Sequence, residues 1–174
     1  MKSVCVLLVI VLIAAGVVYG RGTDNIDRRT IGSFDVRRYM GDWYEIARYD
    51  HRFERRLTEV KASYRLIGED RVEVINAGVH QEGGKRKLAR GKGKLTSVPG
   101  RLKVAFFWNF YSDYNILELG DDYEWALVGS SSARYLWILS RTPTLPAATL
   151  NRILRRAARR GYRTDRLIFV DQQP

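Results

Sequence analysis

The sequence predicts an all-β fold, an eight-stranded antiparallel up-and-down β-barrel followed by one C-terminal α-helix and a final short strand. Residues 43–140 divide into short segments separated by turn formers such as Gly83-Gly84. Several of these segments alternate apolar and polar residues, and a helical period begins only after Pro146. Eight consecutive strands with short connections can close into a barrel that holds one small ligand.

Length and composition are those of one domain with a short appendage. The 174 residues are 45% hydrophobic, which is enough to fill a core and argues against disorder. A single cysteine, Cys5, cannot form an intramolecular disulfide, and His51 and His80 are the only histidines for a metal site. We therefore predict no metal and no cofactor. The formal net charge of +11 indicates anionic partners.

The first twenty residues have the pattern of a secretory signal peptide. Lys2 precedes an unbroken apolar run over residues 4–18, and small residues follow at positions suited to signal peptidase. The alternative is an uncleaved anchor, although the run is shorter than the roughly 20 residues that span a bilayer. Export argues against a nucleic-acid partner. The predicted organisation is a signal peptide or anchor at 1–20, a polar N-terminal lead at 21–34 and the barrel domain at 35–174.

The predicted strands show where the barrel has room. In residues 60–66 the even positions are apolar and the odd ones polar, as in a strand with one wet face. In residues 88–95 the basic residues share one face, and the other face has only Ala89, Gly91 and Gly93. Such small inward residues leave space for a ligand. The eight segments are residues 43–49, 60–66, 71–79, 88–95, 101–108, 113–119, 123–130 and 134–140.

A helix is predicted over residues 146–160. Apolar residues recur there at helical spacing from Leu150 to Ala158, and five arginines cover the other face. Gly161 suits the C-terminal cap of this helix. The apolar run at 167–170 is the predicted final strand.

The inward side chains of the strands form the predicted cavity wall. In the first strand both alternating sets are amphipathic, so alternation leaves open which of them faces inward. Those two sets are Trp43, Glu45 and Ala47 against Tyr44, Ile46 and Arg48. The cavity candidates are Tyr64, Val74, Asn76, Ala89, Val104, Phe106, Trp108, Tyr114, Ile116 and Trp125. The alternative is that these residues fill a solid core.

Three motifs resemble those of the lipocalin family: a Gly-x-Trp at Gly41 and Trp43, a middle motif at residues 113–115, and Arg141 at the end of the eighth strand. From residue 35 to the C-terminus the chain is similar to the bacterial lipocalins of the Blc type and to their plant and apolipoprotein-D relatives. The resemblance implies a barrel whose closed end is sealed by Gly41, Trp43 and Arg141, with the guanidinium over the indole. It also implies a small hydrophobic ligand.

One departure from the bacterial relatives concerns the location of the protein. Bacterial members commonly carry a lipoprotein signal, whereas here the small residues 14–16 are followed by Val17 and Cys5 lies too early to be acylated. We therefore predict an exported protein in the periplasm or associated with the outer membrane, without a lipoprotein anchor.

The predicted function is binding and transport of a fatty acid or lysophospholipid. Its anionic head group would meet the loop after the first strand, where His51, Arg52, Arg55 and Arg56 form a cationic mouth. The alternative is an envelope-surface interaction protein that docks on anionic membranes through its basic helix and basic strand face. The sequence has no catalytic motif, so we predict a protein that is not an enzyme. The sequence leaves open whether the protein forms a homodimer.

Overall fold

The computed structural model describes residues 25–52 and 54–172, and the predicted signal segment at 1–20, with Cys5, lies outside the described residues. Two α-helices, nine strands and one 3-10 turn (Thr164–Arg166) lie within the described residues; the order of the strands and of the long helix is as predicted, whereas the short first helix was not predicted. The helices and strands are α1 (Val36–Tyr39), β1 (Gly41–Tyr49), β2 (Leu57–Leu66), β3 (Arg71–His80), β4 (Arg86–Leu95), β5 (Arg101–Ala105), β6 (Ser112–Leu119), β7 (Trp125–Gly129), β8 (Leu136–Ser140), α2 (Ala147–Arg159) and β9 (Leu167–Phe169).

The first eight strands close into an antiparallel barrel, which confirms the predicted fold. Each strand pairs with the next in sequence, and β8 returns to pair with β1, where Glu45 lies opposite Leu139. The short strand β9 is bonded outside this barrel, with Phe169 opposite Ala47 of β1. Because the barrel is closed, each of the eight strands is paired on both sides along at least part of its length.

Two apolar clusters stabilise the fold, one inside the barrel and one outside it. The inner cluster surrounds Trp43 and contains Leu102 and Ile116. The outer cluster lies between the barrel and α2, where Ile153 and Ala157 are completely buried. Burial of a side chain such as Ile153 contributes about 1.5–3 kcal/mol, so the outer cluster holds the helix on the barrel.

Pairing of the helix arginines with the barrel adds to this attachment. Glu118 of β6 accepts hydrogen bonds from Arg156 and Arg160 at 2.7 and 2.8 Å. The Arg152 guanidinium lies 5.9 Å from the ring centre of Trp125. Three of the five arginines of the predicted basic helix, Arg152, Arg156 and Arg160, therefore contact side chains of the barrel.

The end opposite to the mouth is covered by the N-terminal segment. Asp35 caps α1 by accepting from the backbone N–H groups of Arg37 and Arg38. The preceding residues cross the barrel end, where the N–H of Ile31 donates to the carbonyl of Ile116 at 3.1 Å. The described part of the polar lead is thus packed against the barrel.

Strand β5 is shorter than the predicted segment at 101–108. Its ladder with β6 ends where Val104 meets Ser112. The chain then turns, with the Phe110 N–H donating to the Phe107 carbonyl at 3.1 Å, and Trp108 adopts a φ of 44°. A positive φ at a bulky residue is incompatible with a strand, so the ladder stops before Trp108.

Candidate functional site

A bulge in β1 decides which side chains of the first strand face the barrel interior. The register with β8 shifts between Glu45 and Ala47, so one residue is added to β1 at this point. Before the bulge Trp43 and Glu45 face inward, and after it Arg48 does. The first half of β1 thus points one alternating set of side chains inward, and the second half points the other set inward. The outward residues are Tyr44, Ile46, Ala47 and Tyr49.

The closed end of the barrel is sealed by Trp43 and Arg141. The guanidinium carbon of Arg141 lies 3.8 Å from the ring centre of Trp43. The same guanidinium donates to the backbone carbonyls of Asp42 and Arg38, both at 2.8 Å. Gly41 has a φ of +92°, which glycine adopts without strain. This contact joins β1, β8 and α1 where the barrel is narrowest.

A cluster of three tyrosines fills the barrel above this seal. The Tyr114 hydroxyl lies 2.6 Å from that of Tyr39 and accepts from that of Tyr64 at 3.0 Å. Burial raises the pKa of all three tyrosines, which keeps their hydroxyls neutral. Trp43 donates its indole N–H to the Tyr39 carbonyl at 2.8 Å. The lower half of the barrel is therefore a packed floor.

Part of the upper inner wall, on β3 and β4, is reached by solvent. On β3, Val72 and Val74 are buried, whereas Asn76, one step nearer the mouth, is half-buried. On β4 the inward residues Ala89 and Gly91 are also half-buried. Solvent thus enters from the mouth as far as the small residues of β4, and a ligand can follow the same path.

A buried polar cluster lies in β1 and in the connection that follows it. Arg48 donates to the Glu45 carboxylate at 2.7 Å and to the Glu54 carbonyl at 2.6 Å. The Glu54 carboxylate lies 3.0 Å from the ring nitrogen Nε2 of His51 and accepts from the Trp137 indole at 3.3 Å. Glu45 and Arg48 are each less than 5% exposed. Four charged or titratable side chains are thus concentrated near the mouth of an otherwise apolar barrel.

Burial is the largest single influence on the pKa of each carboxyl group in this cluster, although it does not decide both shifts. Desolvation, reinforced by the Glu54 carboxylate, raises the pKa of Glu45 well above its usual value against the opposing charge of Arg48. Burial also acts to raise the pKa of Glu54, but the hydrogen bonds from His51 and Trp137 and the charges of His51 and Arg48 outweigh it, and the pKa is lowered. The pKa values of the two carboxyl groups are therefore shifted in opposite directions.

The sequence profile of the lipocalin-like domain matches residues 34–172, which includes the whole barrel, α2 and β9. The chain belongs to the lipocalin family. It is 44% identical to the outer membrane lipoprotein Blc of Escherichia coli, over 82% of this chain and 81% of that protein. It is 41% identical to the Blc protein of Vibrio cholerae, over 83% and 86% of the two chains. Bovine apolipoprotein D is 31% identical over 80% and 78%.

Solved lipocalin structures share the fold at low sequence identity. Insecticyanin from the tobacco hornworm superposes with a TM-score of 0.69 at 18% identity, covering 83% of this chain and 84% of that one. Lobster apocrustacyanin A1 superposes with a TM-score of 0.66 at 19% identity, covering 79% of each chain. The eight-stranded barrel with one helix near its C-terminus is therefore common to these proteins.

Most of the predicted cavity residues lie on the inner face of this lipocalin barrel. Phe106 lies at the lip, where its ring covers Gly91 so closely that a Cβ there would come within 2.8 Å of it. The residues on the inner face are Tyr64, Val74, Asn76, Ala89, Val104, Tyr114 and Ile116. Tyr64, Val74 and Ile116 belong to the packed floor, and the others lie nearer the mouth or are less buried.

Two predicted cavity residues lie elsewhere and correct the prediction. Trp125 is buried in the outer cluster beneath α2, because the inward residues of β7 are Ala126 and Val128. Trp108 follows the end of β5 and is 76% exposed. Neither tryptophan lines the barrel interior.

The predicted mouth residues lie at the open end but have different surroundings. His51 packs edge-on against Trp137 and lies against Glu54. Arg55 pairs with Asp50 at 2.9 Å, and Arg56 pairs with Glu82 at 2.8 Å. Arg52 is exposed. Their role in head-group binding stays a prediction.

A cleft of about 280 Å³ opens beside these residues, where β1 and β2 diverge. The C-terminal segment closes the remaining gap, since the Gln172 side chain donates to the carbonyls of Glu45 and Val60 at 2.7 and 2.8 Å. Arg48 reaches the cleft from the barrel side. The cleft is lined by Arg48, Asp50, Arg55, Arg56, Leu57, Gln81, Ile168, Phe169, Val170 and Asp171.

Sequence reasoning missed Arg48, Glu45 and Glu54 as functional candidates. The signal that could have pointed to them is that both alternating sets of the first strand carry a charged residue, so one charge had to face inward.

Within residues 25–52 and 54–172, no three His, Cys, Asp or Glu side chains are grouped so that they could hold a metal ion. No helix in the same ranges is long and apolar enough to cross a membrane.

The raised pKa of Glu45 makes stability depend on pH. A carboxyl whose pKa is higher in the folded than in the unfolded state contributes stability below the unfolded value, about 4.5, which is lost as pH rises through the folded value. Glu45→Gln removes this titration. The free energy of unfolding of the variant should therefore rise relative to that of the wild type as pH increases from about 4.5. Urea unfolding of both proteins across this range measures the difference, and a difference independent of pH would contradict the assignment.

Proposed function

We propose that this lipocalin binds a fatty acid or a lysophospholipid in the open half of its barrel. The observation that carries the proposal is the contrast between a packed floor and a solvent-reached upper wall of small residues, with a buried guanidinium at its rim. The acyl chain would lie against Ala89, Val104 and the Phe106 ring that covers Gly91, and the head group would remain near Arg48.

The energetics of an acyl chain fit this space. Burial of about 12 methylenes at about 0.8 kcal/mol each gives roughly 10 kcal/mol before ordering costs are subtracted. A micromolar to nanomolar affinity follows from what remains. The tyrosine floor limits how deep the chain can reach, because its hydroxyls are already hydrogen-bonded to one another.

Arg48 is the side chain best suited to an anionic head group. Its two terminal nitrogens are bonded to Glu45 and to the carbonyls of Glu54 and Leu57, whereas its Nε is buried without a hydrogen-bond partner. A buried unpaired donor costs free energy, which a carboxylate or phosphate oxygen would recover. The raised pKa of Glu45 leaves part of the Arg48 charge uncompensated.

The proposed location is the cell envelope. The similar Blc proteins are named as outer membrane lipoproteins, which supports export of this chain and a role in storing or maintaining envelope lipids. We propose a binding and transport role without catalysis, since the polar cluster lacks a nucleophile such as Ser or Cys among its members.

Docking through the basic helix is less well supported. The apolar face of α2 is buried against the barrel, so it cannot insert into lipid. Arg156 and Arg160 are bonded to Glu118, and the exposed arginines of α2 are Arg152, Arg155 and Arg159.

Lipid extraction followed by mass spectrometry tests the proposed ligand class. The protein is purified without detergent, its bound lipids are identified, and displacement of a fluorescent fatty acid is measured after delipidation. We expect a co-purified acyl lipid and saturable displacement. Absence of both would refute the proposal.

Filling the upper half of the barrel should abolish binding. Ala89→Trp places an indole on the half-buried inner wall of β4, and we expect the affinity for a fluorescent fatty acid to fall by at least about tenfold because the space for the acyl chain is lost. Arg90→Trp, on the outward face of the same strand, is the matched control and should bind as wild type. Equal affinities of the two variants would contradict a ligand site at this level.

A further inference from the structure

An exposed aromatic cluster lies in the connection between β5 and β6, which we call the aromatic loop (residues 106–111). Trp108 is 76% exposed, Phe110 56% and Phe107 44%. The rings of Phe107 and Phe110 are nearly parallel, with centres 6.1 Å apart. Large aromatic side chains of folded proteins are mostly buried, and an exposed group of them marks an interaction surface.

The base of the aromatic loop is attached to the basic strand β4. Lys92 donates to the Asn109 side chain at 2.7 Å, and the Lys94 ammonium lies 4.7 Å from the ring centre of Tyr111. Trp108 is held with a φ of 44°, a conformation that a bulky residue adopts only when its surroundings impose it. The exposed rings and the strand therefore form one continuous surface.

The charge of this surface is strongly positive. Strand β4 contains no acidic residue, and its outward side chains are basic except for the exposed Leu88. On the neighbouring β3, Glu73 is paired with Arg65 at 2.7 Å. The exposed cations of β4 are Arg86, Lys87, Arg90, Lys92 and Lys94. Aromatic rings flanked by cations match the interface of an anionic bilayer, where rings sit at the level of the head groups and cations meet lipid phosphates.

The aromatic loop also lies at the open end of the barrel. The connections at that end are those that follow β1, β3, β5 and β7, because successive strands are antiparallel. We infer that the aromatic loop docks this lipocalin on an anionic lipid bilayer by inserting Phe107, Trp108 and Phe110, with β4 facing the head groups. The docked barrel turns its mouth towards the membrane. Docking does not depend on a ligand in the barrel.

Co-sedimentation with vesicles tests the inference. Full-length exported protein is mixed with phosphatidylcholine–phosphatidylglycerol vesicles and with pure phosphatidylcholine vesicles. We expect binding to the mixed vesicles that falls by about tenfold or more in the triple variant F107S/W108S/F110S. High salt should weaken binding of the wild type, since exposed charges are then screened.

Two matched controls separate this surface from other parts of the molecule. The variant V98S removes an exposed apolar side chain from a connection at the closed end, and R155S/R159S removes exposed charge from α2. Both should bind mixed vesicles as wild type. Loss of binding in R155S/R159S with retention in the triple variant would assign docking to the helix and overturn the inference.

Trp108 supplies a readout that needs no destabilising variant. Of the four tryptophans, Trp43 and Trp125 are buried and Trp137 is half-buried, which leaves Trp108 as the exposed one. Brominated lipids in the mixed vesicles should quench its fluorescence, and the conservative variant Trp108→Phe should lose that quenching while still binding. Absence of quenching in the wild type overturns the inference.

The remaining outcomes are also decisive. Wild type that fails to bind mixed vesicles overturns docking, and a dimer that disappears in the triple variant would then assign the aromatic loop to contact with a second copy. Fatty-acid displacement measured in solution on the same variants keeps the two proposals apart. Docking with no cavity ligand refutes the proposed function alone, and a cavity ligand without docking refutes this inference alone.

Discussion

Replacing Arg141 with alanine should lower the free energy of unfolding by about 3 kcal/mol. The guanidinium lies 3.8 Å from the Trp43 ring centre and donates to the carbonyls of Asp42, Arg38 and Tyr123. The substitution removes all of these contacts and leaves the carbonyls to find water at the closed end. For a domain of this size the melting temperature should fall by roughly 6 to 12 °C.

Two further variants distinguish closure of the barrel from loss of charge. Arg155→Ala, on the exposed side of α2, should change stability by less than about 0.5 kcal/mol. Arg141→Lys keeps the charge but cannot reach three carbonyls with one ammonium, so it should lie between wild type and Arg141→Ala. Urea and thermal unfolding measure all three. An Arg141→Ala variant as stable as Arg155→Ala would show that the seal contributes little.

Replacing Arg48 with methionine should reduce affinity for an anionic lipid by about 10- to 100-fold. Methionine replaces the aliphatic stem of Arg48 but not its guanidinium, so the head group loses its charge-assisted hydrogen bond. Affinity for a neutral monoacylglycerol should stay within about threefold of wild type, because the acyl chain keeps its contacts. Competition titrations with a fatty acid and a monoacylglycerol measure the two effects.

The same substitution removes the buried donor to Glu45 and therefore also affects folding. Loss of that donor leaves a buried carboxyl oxygen unpaired, at a cost of about 1–3 kcal/mol. The double variant E45Q/R48M removes both charges and should recover much of that stability without recovering the preference for anionic lipid. A double variant that regained the preference would place head-group recognition elsewhere, at Arg55 or Arg56.

Local periodicity predicted the barrel because strand alternation and turn residues can be recognised within each short segment of the sequence. The alternation in β2 and the small inner face of β4 are examples, and both lie as predicted. The prediction was wrong for Trp125 and Trp108. Trp125 faces α2 because the inward residues of β7 are Ala126 and Val128, and Trp108 lies beyond a ladder that stops at Val104 of β5.

The polar part of the candidate site was not predictable in the same way. Arg48 faces inward only because the bulge at Glu45 reverses the alternation of β1. That bulge depends on pairing with β8, which is about 90 residues distant in sequence, so no window of local sequence contains its cause. The C-terminal segment that fills the gap beside Glu45 is more distant still, with Gln172 lying 127 residues from Glu45.

The sequence by itself determined the number and order of the strands and the helix with its apolar face. These features follow from residue type and spacing within short stretches. The contact between Trp43 and Arg141, which are far apart in sequence, was expected from the resemblance to lipocalins. Only the tertiary structure decided that Glu45 and Arg48 lie buried near the mouth and that the aromatic loop remains exposed. The reason is physical, because bulges and ladder ends are set by hydrogen bonds between strands that meet only when the barrel closes.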